Sequence, residues 1–120
     1  MLTKLLLKKK KIAKNGSIVF TSSISSKMTA PGLGIYSSSK AAVSAFMRTC
    51  AIELGSKGIR SNSILPGMVE TKLINSGTYT DEDKKLDLNL YPLGRYGIPQ
   101  DVAFAIAYLL SDAAQWVTGT

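Results

Sequence analysis

Tyr36 and Lys40 are the two residues of this sequence whose types and spacing point most directly to chemistry. They are four positions apart, so on a helix they lie on one face with Cβ atoms about 5–6 Å apart. The positive end of a helix dipole and a nearby ammonium group both favour a phenolate over a phenol. Such a pair can exchange a proton with a substrate, while a hydroxyl such as that of Ser23 holds the substrate oxygen. The chain has no histidine, which removes the commonest competing acid–base designs and histidine-based metal sites, so no metal is expected.

Two predicted strands and the helix between them would carry these residues. The run SIVFTSS, residues 17–23, is β-branched and aromatic without polar alternation, which is typical of a strand buried on both faces of a parallel sheet. Apolar residues recur at helical spacing over 36–54, and IRSNSIL, residues 59–65, predicts a second buried strand. Strand, helix and strand in this order predict a right-handed βαβ unit within an α/β sheet.

The functional site is expected at one edge of that sheet, because open α/β sheets bind ligands beyond the carboxyl ends of their strands. Ser22 and Ser23 end the first strand, Tyr36 opens the helix after the following loop, and Pro66-Gly67 closes the second strand. We therefore expect these residues to converge. Strand-end packing is the structural alternative for Ser22, and a simple turn is the alternative for Pro66-Gly67.

The remaining sequence predicts two further helices and the approach to a third strand. Thr80 and Asp83 have the spacing of a helix cap, for a short helix ending near Leu90. Pro99 suits the first turn of a helix running to about Ser111, after which WVTGT resembles the start of a strand. The apolar stripe predicted for that last helix consists of Val102, Ile106, Leu109 and Leu110.

The net charge of +7 is local and does not indicate a nucleic-acid binder. Six lysines precede residue 15, which leaves +1 for the rest of the chain. Residues 1–14 are predicted to be the last part of an amphipathic helix, with lysines in its final turns. A nucleic-acid-binding or localisation patch is the less favoured interpretation. No apolar run approaches the ~20 residues of a membrane span, and the first apolar block is too short for a secretory signal. The lone Cys50 allows no internal disulfide, which favours a cytoplasmic protein.

Three longer segments resemble the short-chain dehydrogenase/reductase family, in the form related to the 3-oxoacyl-carrier-protein reductases. The family's strand with the catalytic serine is similar to GSIVFTSSIS. Its closing helix and the lead-in to its last strand are similar to GRYGIPQDVAFAIAYLLSDAAQWVTG. YSSSKAAVSAFMRTCAIELGSKGIRSNSILPGMVET is similar to its Tyr-x-x-x-Lys helix, next strand and Pro-Gly turn. The resemblance implies a doubly wound, Rossmann-like parallel sheet, of which residues 1–120 form a single partial domain with a substrate lid at about 72–96. It also implies hydride transfer between NAD or NADP and a small carbonyl or alcohol substrate.

The resemblance further implies a role for each site residue. Tyr36 is the general acid/base, and Lys40 stabilises its phenolate and binds the nicotinamide ribose. Ser23, thirteen positions before Tyr36, polarises the carbonyl and is preferred to Ser22 by the family's spacing. The other cofactor contacts would come from Pro66, Gly67 and Val69 at the nicotinamide and from Thr71 at the phosphates. A helix cap is the structural alternative for Thr71.

The sequence also departs from the family pattern. No Gly-x-x-x-Gly-x-Gly occurs in it, so these residues include neither the turn that cradles the pyrophosphate nor the residue that selects NAD or NADP. The chain is therefore expected to be the second half of such an enzyme, truncated and inactive by itself. Family members commonly associate through the helices corresponding to 1–14 and 36–54, so a homo-oligomer is expected. A non-catalytic association module is the alternative function.

Overall fold

The computed structural model describes residues 2–71 and 80–120. Its helices and strands are α1 (Leu2–Lys8), β1 (Ser17–Thr21), α2 (Gly34–Gly55), β2 (Arg60–Ile64), α3 (Asp81–Leu88) and α4 (Pro99–Leu110). Short 3-10 turns follow β1, at Ile24–Ser26, and α4, at Asp112–Ala114. The order β1–α2–β2 confirms the predicted βαβ unit. The central helix is slightly longer than predicted, because it begins two residues before Tyr36.

The two strands pair in parallel, with Ser17 opposite Arg60 and Thr21 opposite Ile64. α2 and α4 both contact this sheet, and the Ser17 hydroxyl donates to the Leu109 carbonyl of α4 at 2.9 Å. The predicted burial of the first strand on both faces was wrong, since the residues of β1 are only partly buried. Within residues 2–71 and 80–120, the only strand that pairs with β1 is β2. The backbone groups on the other edge of β1 therefore have no strand partner among these residues.

Residues 116–120 run along the outer edge of β2 without being assigned as a strand. The Gly119 amide donates to the Ser61 carbonyl at 2.8 Å, and the Ser63 amide donates to the Thr120 carbonyl at 2.7 Å. The predicted approach to a third strand therefore lies beside the sheet as expected, although residues 116–120 are not assigned as a strand. This added segment covers the centre of β2, where Ser61 and Asn62 are fully buried.

The N-terminal helix is shorter than predicted. α1 ends at Lys8, and Lys10 adopts a left-handed φ of 52°, so residues 9–14 are not helical. Continuing the helix to residue 14 would place Lys8 beside Lys11 and Lys10 beside Lys14, at the spacings where like charges repel. After the helix ends, Ile12 contacts the core, as does Leu7 of α1; the sequence did not single out either residue. The core that they meet is formed by Cys50, Leu54 and Ile59.

The two later helices begin where the sequence predicts. Thr80 caps α3 through a reciprocal pair of hydrogen bonds with Asp83, and Pro99 occupies the first turn of α4. α3 ends at Leu88, two residues before the predicted end. The stripe of α4 is narrower than predicted, because Leu110 is 49% exposed. Residues 72–79, the first part of the predicted lid, lie outside the described residues. No helix in the described part of the chain has the length and apolar character needed to cross a bilayer.

Candidate functional site

A cleft of about 370 Å³ opens where β1 and β2 end. Its lining consists of Thr21, Ser22, Ser23, Tyr36, Lys40, Pro66, Gly67, Val69, Thr71, Pro99 and Val102. The cleft thus brings together all seven residues that were predicted for the site, from three separate segments of the chain. Pro99 and Val102 were not predicted there. Their position follows from the packing of α4 across the sheet, which the sequence pattern does not show.

Tyr36 and Lys40 lie on one face of the first turns of α2. Lys40 Nζ is 5.8 Å from the centroid of the Tyr36 ring, which is within the range of a cation–π contact. The same ammonium donates to the carbonyl oxygen of Thr21, the last residue of β1, at 3.3 Å. The Tyr36 side of this pair is open to a ligand, because the residue is 46% exposed. The arrangement places a positive charge beside a tyrosine ring at the lining of the cleft.

The two serines after β1 use their hydroxyl groups differently. Ser22 Oγ donates to the Lys40 carbonyl at 2.9 Å and lies 2.8 Å from Ser44 Oγ. Ser23 Oγ accepts a hydrogen bond from the Ser25 amide at 3.2 Å, which caps the following 3-10 turn. That bond uses a lone pair of Ser23 and not its proton. The Ser23 hydroxyl therefore retains a proton for a ligand oxygen, whereas the Ser22 proton is directed into the protein.

The turn after β2 also lines the cleft and is held at several points. The Pro66 carbonyl accepts a hydrogen bond from the Ile24 amide at 3.0 Å, which links the two strand ends. The Met68 amide donates to the Tyr91 hydroxyl at 3.0 Å, and Val69 forms a parallel bridge with Gly97. Sequence reasoning did not single out Tyr91, which lies within the predicted substrate lid at about 72–96. Its contact spans more than twenty residues, and no local pattern indicates it.

An ion pair fixes the start of α4 beside the cleft. Arg95 Nη1 lies 2.7 Å from Asp101 Oδ2, and the same carboxylate oxygen accepts a hydrogen bond from the Ile98 amide at 2.9 Å. The Arg95 hydrogen bond, followed by the Ile98 amide, lowers the pKa of Asp101 from 3.8 to about 2. Because Val102 follows Asp101 directly, this cap also places the part of α4 that lines the cleft.

The segment after α3 lines one part of a second, larger and open pocket of about 600 Å³. It shares Pro66, Gly67, Val69 and Val102 with the cleft, so the two spaces adjoin. The rings of Tyr91 and Tyr96 meet edge to face with centroids 5.2 Å apart, and the Tyr96 hydroxyl donates to Asp87 of α3 at 2.8 Å. These contacts tie α3 to the wall of the cleft.

Comparisons with known proteins agree with this geometry. A family profile described as Enoyl-(Acyl carrier protein) reductase matches residues 1–120. The chain is 44% identical over 105 residues to the L-rhamnose 1-dehydrogenase (NAD(P)(+)) of Sphingomonas sp. (strain SKA58), covering 87% of this chain and 41% of that protein. The chain thus spans about two fifths of the length of this curated relative.

Two solved structures share the fold closely. A 4-hydroxyisoleucine dehydrogenase complexed with NADH has a TM-score of 0.90 at 32% identity, covering 98% of this chain and 49% of that one. A short chain dehydrogenase family protein from Francisella tularensis subsp. tularensis SCHU S4 has a TM-score of 0.87 at 31% identity, covering 98% of this chain and 52% of that one. Together with the match over the whole chain, these likenesses show that the chain belongs to the short-chain dehydrogenase/reductase family.

Proposed function

We propose that this chain carries the proton-transfer site of an NAD(P)-dependent oxidoreductase that interconverts a carbonyl and an alcohol. The observation that carries the proposal is the position of Lys40 Nζ, 5.8 Å from the Tyr36 ring centroid, in a cleft that Ser23 also lines. An ammonium, a phenol and a serine hydroxyl at one cleft are the groups needed to hold a carbonyl oxygen and protonate it. The relatives with NAD(P)(+) and NADH in their names support the same reaction class.

Each of the three side chains has a proposed task. The Ser23 hydroxyl donates a hydrogen bond to the carbonyl oxygen and polarises it, and the Tyr36 hydroxyl delivers the proton as that oxygen gains charge. In the reverse direction Tyr36 accepts the proton of the alcohol. Lys40 stabilises the phenolate that Tyr36 becomes, since an opposite charge nearby favours the ionised form. A bound reduced nicotinamide would supply the hydride to the carbonyl carbon.

The residues present fit the nicotinamide end of such a cofactor. Lys40 and the turn after β2 both line the cleft. We propose that Lys40 and Tyr36 bind the ribose, that Pro66, Gly67 and Val69 line the nicotinamide, and that Thr71 contacts the phosphates. No Gly-x-x-x-Gly-x-Gly occurs in the sequence, so a phosphate-cradling turn of that type has to come from other residues. The 120 residues by themselves are therefore expected to be inactive.

The test uses the 120 residues alone and a completed chain. In the completed chain, the corresponding sequence of the Sphingomonas relative extends them at both ends. NADH and NADPH titrations, followed by a panel of small aldehydes and ketones, measure binding and turnover. We expect binding and turnover in the completed chain and neither in the 120 residues. Steady turnover by the 120 residues would refute the expected inactivity, and a folded completed chain that binds dinucleotide but reduces no carbonyl would refute the proposed function.

We also propose that the protein associates with further copies of itself through α1 and α2. Three apolar side chains on these helices are exposed, namely Leu5 at 48%, Ile35 at 90% and Ile52 at 83%. Apolar side chains on neighbouring helices are a common basis for association. Ile52→Lys should reduce the mass seen by light scattering, whereas Lys57→Glu, also on the surface, should leave it unchanged. The proposal includes a cytoplasmic location, for which the buried free thiol of Cys50 is the support.

A further inference from the structure

Two buried serines join the end of β1 to the helical turn that carries Lys40. Ser22 and Ser44 are only 4% and 7% exposed. Ser22 Oγ lies 2.9 Å from the Lys40 carbonyl oxygen and 2.8 Å from Ser44 Oγ. A carbonyl oxygen can only accept, so the single proton of Ser22 goes to Lys40, and Ser44 must be the donor to Ser22. The hydrogen bonds therefore run in one direction, from Ser44 through Ser22 to Lys40.

We propose that Ser22 is a positioning residue for the Tyr36–Lys40 pair, an inference that rests on the proposed function. Lys40 is attached to the end of β1 at two points. Its carbonyl accepts from Ser22, the residue after the strand, and its Nζ donates to the carbonyl of Thr21, the last strand residue, at 3.3 Å. The two anchors are consecutive residues of one strand end. Because both ends of the lysine are held, few conformations of its flexible stem remain, and Nζ stays beside the Tyr36 ring. In this role Ser22 acts through Lys40 and does not need to touch the substrate.

β2 provides a matched control for this hydrogen bond. Ser61 is fully buried, and its hydroxyl donates to the carbonyl oxygen of Met47 at 2.9 Å. It is the same kind of bond, from a buried serine hydroxyl to a backbone carbonyl of α2, but Met47 lies about two helical turns beyond Lys40. Loss of the Ser61 hydroxyl should therefore cost stability as loss of the Ser22 hydroxyl does, without moving the pair at the start of α2.

The kinetic test compares Ser22→Ala, Ser44→Ala and Ser61→Ala in the completed chain. We expect Ser22→Ala to lower kcat about tenfold with KM for the carbonyl unchanged within about twofold, as fits the loss of one buried hydrogen bond. Ser61→Ala should lower Tm about as much as Ser22→Ala does, and leave kcat within about twofold of the parent value. Ser44→Ala keeps the bond from Ser22 to Lys40 and should lower kcat less than Ser22→Ala does. Ser22→Thr retains the hydroxyl and should recover most of kcat.

Unchanged kcat in Ser22→Ala, or equal losses of kcat in Ser22→Ala and Ser61→Ala, would overturn the proposal. If Ser22→Ala does not fold, Ser22→Cys takes its place, since a thiol is nearly the same size and a weak donor. The outcomes that overturn the proposal are then judged on Ser22→Cys in the same way.

A second readout separates this inference from the proposed function because it needs no turnover. In the completed chain with a ¹³C-labelled lysine carbonyl and tyrosine ring, Ser22→Ala should move the Lys40 and Tyr36 resonances, and Ser61→Ala should leave them in place. An inactive parent chain with this pattern would contradict the proposed function and leave the positioning intact. Unmoved Lys40 and Tyr36 resonances in Ser22→Ala would contradict the positioning, whatever the turnover of the parent.

Discussion

Gly67 lies against the ring of Tyr91 so closely that a Cβ at this position would be 3.2 Å from Tyr91 Cε1. Gly67 is not among the glycines with a left-handed φ, so a restriction on residue size here comes from space and not from backbone conformation. The Tyr91 hydroxyl also accepts a hydrogen bond from the Met68 amide at 3.0 Å. One side chain thus limits the size of a residue in the cleft-lining turn and holds the next amide in the chain.

Gly67→Ala in the completed chain should weaken cofactor binding, because the new methyl group displaces the Tyr91 ring and loosens the wall proposed to line the nicotinamide. We expect the KM for NADH or NADPH to rise about fivefold, which corresponds to about 1 kcal/mol. Gly55→Ala is the matched control, since nothing lies within 4 Å of a Cβ there and the site is at a helix end. A cofactor KM that is the same in both variants would show that the Gly67–Tyr91 contact has no bearing on binding.

The ion pair between Arg95 and Asp101 should make stability depend on pH in the acid range. The pKa of Asp101 is lowered from 3.8 to about 2 in the folded protein, so the folded state favours the ionised carboxylate. Its contribution is fully present above the ordinary pKa and is lost as pH falls toward 2. Urea unfolding of the completed chain and of Asp101→Asn should therefore differ at pH 6 and converge near pH 2. A constant difference across this range would rule out the ionised Asp101 as its source.

Lys40→Ala should impair two measurable properties, because the lysine is proposed to serve both Tyr36 and the nicotinamide ribose. In the completed chain we expect the Kd for NADH or NADPH to rise about tenfold and kcat to fall by at least as much. Lys57→Ala, which removes an exposed lysine just after the far end of α2, is the control for loss of positive charge. Loss of kcat with unchanged cofactor Kd would restrict Lys40 to proton transfer.

Local signals in the sequence were sufficient to predict most of the fold. The apolar run at 17–23, the helical spacing over 36–54, and the positions of Thr80 and Pro99 each depend on residues close together in the chain. The rule that ligands bind beyond the strand ends then placed Ser23 and the Tyr36–Lys40 pair at one edge of the sheet. The structure places Ser23, Tyr36 and Lys40 at one cleft.

What the sequence did not reveal depends on contacts between distant segments. The bond from Ser22 to Lys40 requires the rotation of α2 relative to β1, and the contact of Tyr91 with Gly67 requires the path of the chain after α3. The early end of α1 reflects a balance between helix continuation and burial of Ile12, which periodicity alone does not resolve. Tertiary packing decides each of these features.

The most direct test of the central claim is kcat of Tyr36→Phe in the completed chain, measured together with its Kd for NADH or NADPH. The substitution removes the phenolic hydroxyl and keeps the ring near Lys40. The phenolic hydroxyl is the proposed proton donor, so we predict that kcat falls at least about a hundredfold, as is typical for loss of a general acid. The Kd should change by no more than about threefold, because Lys40 still binds the ribose when the Tyr36 contact is lost. Full carbonyl reduction by Tyr36→Phe would contradict the assignment of proton transfer to Tyr36.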